Sequence, residues 1–453
     1  MKTLNIKEAF KNLIDYISPT IVEYNNVVIN SKEVKKGDIF LALKGTNVDG
    51  NSFFKEAYER GAILTVFDNP YFYNKASINK VLVEDSFNAI KSFGIWKLKN
   101  NFAKRVAITG SVGKTTTKKL LYEIFSKQYQ SYMSYKNYNN ELGIAISCAN
   151  IPDEVDYAFF EIGTNSKGEI KKYTDYIRPE VAVITKIASS HIGRFGDLNE
   201  IAAEKFSIAE TDSVKELWLN ENDTVYLKDE IVKNKKIFTV GFSEKADFRI
   251  IDIKSLDGGY EFYVKFNRDK FKFQINHFYY HFILNASMAA GVALREGIEY
   301  DYIYQAIKEF LPEEKRGVVY NYENIAIIDD TYNASIDSIT AALKSLDKYK
   351  CFNKDKIAII GEIAEIEGFE DEIYEKLIEF AKKLSGVTVI FCGDYFDKYE
   401  DFENIKFFNN KQKLYKYLNN INSGCFLVKA SRSKKFEEIV DYLITKGRGK
   451  YAV

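Results

Sequence analysis

Residues 108–118 read Ile108-Thr109-Gly110-Ser111-Val112-Gly113-Lys114-Thr115-Thr116-Thr117-Lys118, "ITGSVGKTTTK". The apolar run "RVAIT" leads into this stretch, and "TTTKKLLYEIF" leads out of it with helical spacing. Strand, glycine-bearing turn and helix follow one another, which is the setting a phosphate loop requires. Gly110 and Gly113 allow a tight turn in which the backbone from Thr109 through Ser111 and Val112 to Thr116 aims its N–H groups inward. The helix adds its positive N-terminal end, and Lys114 supplies a compact cation for the β- and γ-phosphates. Thr115 can place its hydroxyl on Mg²⁺. The strict spacing G-x-x-x-x-G-K-[ST] is not met, because Ile108 stands where the first glycine belongs. An ordinary glycine turn before a helix is the plain alternative, and G-K-T-T in this setting outweighs it.

Outward from this loop, short Val/Ile-rich runs alternate with helical segments. "YAFFEIG", "EVAVITKIA" and "ELWLN" predict strands of a mainly parallel sheet covered on both faces. The stretch "ADFRIIDIKSLDGGYEFYVKFNRDKFKFQIN" changes to strand alternation around Gly258-Gly259, predicting an antiparallel hairpin insert. Two helices, "FILNASMAAGVALREG" and "DYIYQAIKEF", close this module before Pro312. Upstream, "NNVVINS", "GDIFLAL", "AILTVFD" and "KVLVED" predict the strands of a smaller α/β module. Its helices are expected at "SFFKEAYERGA" and over residues 88–102, and the N-terminal "MKTLNIKEAFKNLIDYI" reads as a charged amphipathic helix. Downstream, "NIAIIDD", "KIAIIGE", "GVTVIFCG" and "GCFLVKA" alternate with helices as a second doubly wound, Rossmann-like sheet. The expectation is an α/β protein of three domains, over residues 1–102, 103–312 and 313–453.

Composition narrows the class. Of 453 residues, 46% are apolar and 28% charged, a globular balance. Lys plus Arg and Asp plus Glu number 64 each, so no overall field draws the chain to nucleic acid or to a membrane surface. Cys148, Cys351, Cys392 and Cys425 lack C-x-x-C spacing and read as reduced, mostly buried thiols. The N-terminus has no signal-peptide apolar block, and no window reaches the ~18 apolar residues of a membrane span. A cytoplasmic monomer is expected.

Other candidate residues sit where strands end. Glu161 closes "YAFFE", where a doubly wound sheet presents side chains to a ligand, and a carboxylate there suits Mg²⁺. His191 follows "EVAVITKIA", but a lone histidine is more often structural and Mg²⁺ prefers oxygen. Lys205, within "NEIAAEKFSIAE", is by itself an ordinary solvated cation. Asp329, Asp330 and Asn333 end a strand in a manner suited to ribose or amine recognition. Lys429, Ser431 and Arg432 precede a helix, which suits a carboxylate or phosphate.

Taken in order, "TGSVGKTTTK", "NYNNELG", "FFEIGTNSKGEI", "SSHIGRFGDLNEIAAEK", "DDTYNASIDS" and "LVKASRSKKFE" resemble the motif series of the Mur ligases. These are ATP-dependent amide-forming enzymes of peptidoglycan precursor synthesis. The stretch "NSKEVKKGDIFLALKGTNVDGNSFFKEAYERGA" is similar to the uridine-binding module of one branch, which joins D-alanyl-D-alanine to UDP-N-acetylmuramoyl-tripeptide. The resemblance covers essentially the whole chain. It implies that the three modules bind the UDP substrate, bind ATP, and close over the nucleotide, respectively.

By the same resemblance, Lys114 and the loop from Thr109 to Thr116 hold the ATP phosphates. Thr115 and Glu161 bind one Mg²⁺; His191 and Lys205 belong to a second site, with the lysine carbamylated. Asn285 corresponds to an adenine contact, and Arg316, Asp330 and Asn333 to residues that close on ATP. Ser31, Lys32, Asn139 and Asn140 face the UDP-linked substrate, and Lys429, Ser431 and Arg432 the incoming dipeptide. The chain departs from the pattern at Asn30-Ser31-Lys32, where a point charge replaces the usual guanidinium. It also departs at Ala145, at Thr185-Lys186-Ile187, at Ser335-Ile336 and at Glu362. Related alternatives are a branch adding a single amino acid, which "DDTYNA" disfavours, and folate polyglutamation. A non-catalytic nucleotide-binding homologue is the third, and retention of Lys114, Glu161, His191 and Lys205 speaks for an enzyme.

Overall fold

Lys104–Thr109 is a strand whose last four residues are buried, and it lies between Tyr157–Glu161 and Val181–Ile184, parallel to both. The computed structural model describes residues 2–45, 48–188, 195–256, 258–312, 315–351, 355–364, 366 and 368–448. The chain forms two compact units, residues 1–249 with 288–303, and residues 250–287 with 304–453.

In the first unit the central sheet runs in the order Ser131–Met133, Tyr157–Glu161, Lys104–Thr109, Val181–Ile184, Glu216–Asn220, Lys236–Gly241 and the start of Phe248–Leu256. Neighbours are parallel throughout. Val181–Ile184 is buried at all four residues, as expected of a strand covered by helices on both faces. Register fixes where chemistry can occur. Glu161 pairs with Ile108 and Ile184 with Thr109, so three strands release their chains at one carboxyl edge, beside the glycine turn.

The smaller sheet of this unit has the order Leu13–Ile17, Lys80–Val83, Leu64–Phe67, Ile39–Leu41 and Val27–Val28. The first strand is antiparallel and the others are parallel. Here the reading of the N-terminus as one amphipathic helix fails. Thr3–Asn5 pairs antiparallel with Ile21–Glu23, the helix is confined to Ile6–Ala9, and Leu13–Ile17 is an edge strand. The β-branched content of "LIDYI" and a partner at Lys80–Val83 outweigh helical spacing, leaving Ile14 and Ile17 exposed on that edge.

Helix Ser86–Lys99, started by the Asp85 carboxylate accepting from Asn88 N (2.6 Å), packs along helix Glu141–Ala149. The second helix serves two cores. Ile144 and Cys148 join the central-sheet core, whereas Ala145, Ile146 and Ala149 join the core of the smaller sheet. Asn150, just after it, exchanges hydrogen bonds with Val27, accepting at 2.7 Å and donating at 3.1 Å.

In the second unit a sheet runs Val318–Asn321, Ile325–Asp330, Gly424–Lys429, Lys356–Gly361, Val387–Cys392 and Ile405–Phe408. Its first pair is antiparallel and the rest is parallel. The four expected strands are its interior, and the two edge strands are additions that the sequence pattern did not disclose. The expected hairpin is present as Gly259–Phe266 paired with Asp269–Ile275. All four cysteines are buried.

Candidate active site

Beyond Thr109 the chain turns through Gly110 and Gly113, with φ of +146° and +88°. The loop is laced to the segment that leaves the neighbouring strand. Ser111 N donates to Lys186 O (2.7 Å), and Ser111 Oγ donates to Ala188 O (2.8 Å) while accepting from Ala188 N (3.0 Å). Thr185 Oγ1 donates to Val112 O (2.5 Å), and Thr109 Oγ1 donates to Ile162 O (2.9 Å). These bonds fix the turn before any ligand arrives. A Cβ on Gly110 would lie 2.0 Å from Thr185 Oγ1. Gly110→Ala therefore combines that clash with a backbone strain of about 1–3 kcal/mol. We expect it to weaken binding of an ATP analogue roughly a hundredfold, measurable by calorimetry.

Lys114 opens helix Lys114–Phe125, and its ammonium rests on the loop's own carbonyls, Gly110 O at 2.7 Å and Ser111 O at 3.3 Å. Thr115 is buried beside it and Thr116 half-buried. A cleft of 180 Å³ opens here, lined by Lys114, Asn139, Asn140, Gly163, Thr164, Asn165, Glu169 and Lys205. Glu161 stands behind the lining, 1% exposed. Its Oε1 accepts from Asn139 Nδ2 at 2.9 Å. Its Oε2 is buried without a hydrogen bond, 3.5 Å from Lys118 Nζ. Asn140 caps helix Glu141–Ala149 by accepting from Gly143 N at 2.9 Å.

Lys205, in the last turn of helix Leu198–Phe206, is not the solvated cation its sequence position suggested: it is 3% exposed. Burial, and secondarily the charge of Lys114, lowers its pKa to about 7. Two amines thus face one cleft, which is an anion-binding arrangement. Sequence reasoning passed over the residues that shape the opposite wall. The buried Glu204 carboxylate accepts from Gly168 N (2.6 Å), Ile170 N (2.9 Å) and Thr164 Oγ1 (3.1 Å). Glu169 accepts from Asn165 N (2.6 Å) and Ser166 N (3.2 Å). The only sequence signal was their company, Glu204 beside Lys205 and Glu169 inside "GTNSKGEI".

His191 lies outside the described residues. The segment leading to it is held from below by Asp223, whose Oδ2 accepts from Ile187 N at 3.0 Å. Asp223 is 5% exposed, and burial raises its pKa to about 6. The folded state therefore holds this proton more tightly than the unfolded one, and above pH 6 the buried charge costs stability. Asp223→Asn keeps an acceptor for Ile187 N and removes the charge. Its Tm should exceed that of the unsubstituted protein at pH 8, by a stability gain on the order of 2 kcal/mol, and the gap should close below about pH 4. Thermal melts across pH check this.

The second unit gathers most of the remaining candidates at one sheet edge. Asp330 pairs in register with Lys429, whose Nζ donates to Asp330 Oδ2 (2.5 Å) and to Asn333 O (2.9 Å). Tyr279 Oη also donates to Asp330 Oδ2. The Arg316 guanidinium stacks 4.1 Å from the Tyr332 ring, and that of Arg432 lies 5.7 Å from it. Ser431 Oγ is taken by Ala364 N at 2.9 Å, and Asn285 is buried in the first turn of helix Phe282–Arg295. In the first unit, buried Ser31 donates to Glu56 Oε2 (2.7 Å), with Lys32 exposed beside it.

Two family models match the chain, the Mur ligase middle domain over residues 108–293 and the Mur ligase family catalytic domain over residues 23–92. The UDP-N-acetylmuramoyl-tripeptide–D-alanyl-D-alanine ligase of Rickettsia prowazekii is 32% identical over 432 residues, covering 93% of this chain and 95% of its own. The chain belongs to the Mur ligase family. As a Mur ligase it is an ATP-dependent ligase. The Bacillus subtilis protein of the same name is 26% identical over 460 residues, covering 97% of this chain and 99% of its own. A crystal structure of MurF from Acinetobacter baumannii superposes with a TM-score of 0.83 at 25% identity, over 97% of this ligase and 98% of that chain.

The site of this Mur ligase suits a hard cation. Glu161 keeps a buried oxygen without a hydrogen bond, and the Thr115 hydroxyl lies on the adjoining helix start. Oxygen donors of this kind fit Mg²⁺. Among the described residues no three His, Cys, Asp or Glu side chains gather as a metal site.

Proposed function

We propose that this Mur ligase joins D-alanyl-D-alanine to UDP-N-acetylmuramoyl-tripeptide at the expense of ATP, in peptidoglycan precursor synthesis. The observation that carries this reading is the end-to-end likeness to the Rickettsia prowazekii ligase of that activity, over 95% of its length. It takes in the smaller N-terminal sheet and the C-terminal sheet as well as the phosphate loop. We assign residues 1–102 to the UDP substrate, 103–312 to ATP and catalysis, and 313–453 to a Rossmann-like module.

The chemistry follows from charge. A carboxylate is a poor acyl donor. Its oxygen attacks the γ-phosphorus of ATP, the bond to the bridging oxygen breaks, and ADP leaves an acyl phosphate behind. The dipeptide amine then attacks the acyl carbon, loses a proton, and expels inorganic phosphate. Lys114 turns from the loop carbonyls toward the transferring phosphoryl group, and loop N–H groups from Thr109 to Thr116 hold it in place. Glu161 and Thr115 would hold one Mg²⁺, with Lys205 and His191 assigned to a second, and the metal would neutralise phosphate charge. Carbamylation of Lys205 joins its neutral amine to carbon dioxide with loss of a proton, which replaces a cation by an anion compatible with Mg²⁺. Asn285, Arg316, Asp330 and Asn333 are assigned to ATP. Ser31, Lys32, Asn139 and Asn140 are assigned to the UDP substrate, and Lys429, Ser431 and Arg432 to the dipeptide.

No helix among the described residues is long and apolar enough to cross a membrane, and we place the enzyme in the cytoplasm as a monomer. The test supplies ATP, Mg²⁺, UDP-linked tripeptide and D-Ala-D-Ala. Phosphate release dependent on the dipeptide is expected. Release with a single amino acid, and none with the dipeptide, would overturn the proposal.

A further inference from the structure

Lys118 lies one turn after Lys114 in the same helix, four residues on and therefore on the same face. It is 1% exposed, and burying an ammonium costs several kcal/mol unless its surroundings compensate. An apolar side chain would fill the space without that cost, so its partners are informative. The Nζ donates to Ser134 O at 2.9 Å and to Lys136 O at 2.5 Å. It also stands 3.5 Å from Glu161 Oε2, the oxygen that lacks a hydrogen bond. Glu161 Oε1 is bonded to Asn139, three residues beyond Lys136. Lys118, the segment 134–139 and Glu161 thus close a ring, and Asn139 and Asn140 emerge from it into the cleft.

We propose that Lys118 is a positioning residue with two linked tasks. Its ammonium is the resident counter-ion of Glu161, and it tethers the segment that presents Asn139 and Asn140. A divalent cation arriving at Glu161 must compete with Lys118 for the carboxylate. Removing the lysine charge therefore strengthens cation binding, while releasing the tether weakens the hold on the acceptor substrate. These opposite signs separate the proposal from a purely structural lysine, whose loss would weaken both. The inference rests on the assignment of Glu161 as a cation ligand.

The test compares Lys118→Met, which removes charge and tether, with Lys118→Gln, which removes charge but keeps an amide donor. Calorimetric titration of Mg²⁺ into protein with a non-hydrolysable ATP analogue should give a half-saturation roughly tenfold lower for both variants. In steady-state assays the KM for UDP-linked tripeptide should rise roughly tenfold for Lys118→Met and less for Lys118→Gln, with the dipeptide KM within about twofold. An Mg²⁺ half-saturation that is unchanged or higher in both variants overturns the proposal, as does loss of folded protein in both. If Lys118→Met alone fails to fold, Lys118→Gln decides by the same titration. If the unsubstituted protein shows Mg²⁺-dependent analogue binding but no turnover of the dipeptide, the proposed reaction fails, and the calorimetric arm still judges Lys118.

Discussion

Lys114→Ala is expected to fold normally and to turn over about a thousandfold more slowly. The ammonium is half-buried and donates to two loop carbonyls, so we expect the cost in stability to be small. Thr185, Ser111 and Ala188 hold the turn independently of it. On the proposed reading, the missing group is instead a point charge needed where negative charge shifts during phosphoryl transfer. Phosphate release at saturating substrates, set beside a thermal melt, measures both halves. Turnover within tenfold of the unsubstituted enzyme would show that Lys114 is not the phosphate cation.

Lys205→Ala should be comparably damaging, and it should differ in its dependence on carbon dioxide. In the unsubstituted enzyme burial holds this amine at a pKa of about 7, against an ordinary 10.5, so a substantial neutral fraction exists at physiological pH. The neutral amine is the form that adds carbon dioxide, and that fraction rises as pH climbs through 7. Activity of the unsubstituted enzyme should fall in carbon dioxide-depleted buffer and recover with bicarbonate, more completely at pH 8.5 than at pH 6. Intact mass should show one added carbon dioxide with bicarbonate at pH 8.5 and none in Lys205→Ala. Full activity after depletion, with an unmodified mass, would remove carbamylation from the mechanism.

What the sequence disclosed, and what it hid, divide along physical lines. The glycine turn was legible because its requirements are local: positive φ at two positions, and a helix start with a lysine. Strand ends at Glu161 and Asp330 were legible for the same reason. Lys205 was not, since nothing in "NEIAAEKFSIAE" reveals that its helix buries the amine against a cleft formed by residues between Lys114 and Glu169, far back in the chain. Lys429 and Asp330 could each be suspected, but their contact depends on the register of two strands 99 residues apart. Lys118 stood in plain view within the phosphate-loop stretch, and only Ser134, Lys136 and Glu161 give it a meaning. The N-terminal error had the same root, because partners at Ile21–Glu23 and Lys80–Val83 decide what the first residues become.

Helix Glu141–Ala149 has a consequence for anyone dissecting this enzyme. Because Ala145, Ile146 and Ala149 are walled in by the N-terminal module while Asn139 and Asn140 precede the same helix, excising the first hundred residues would strip an apolar stripe bare and unseat the cleft's rim together. A minimal ATPase fragment starting at the phosphate-loop strand is therefore a poor design. Chimeras that exchange the leading module between relatives should carry this helix along with it.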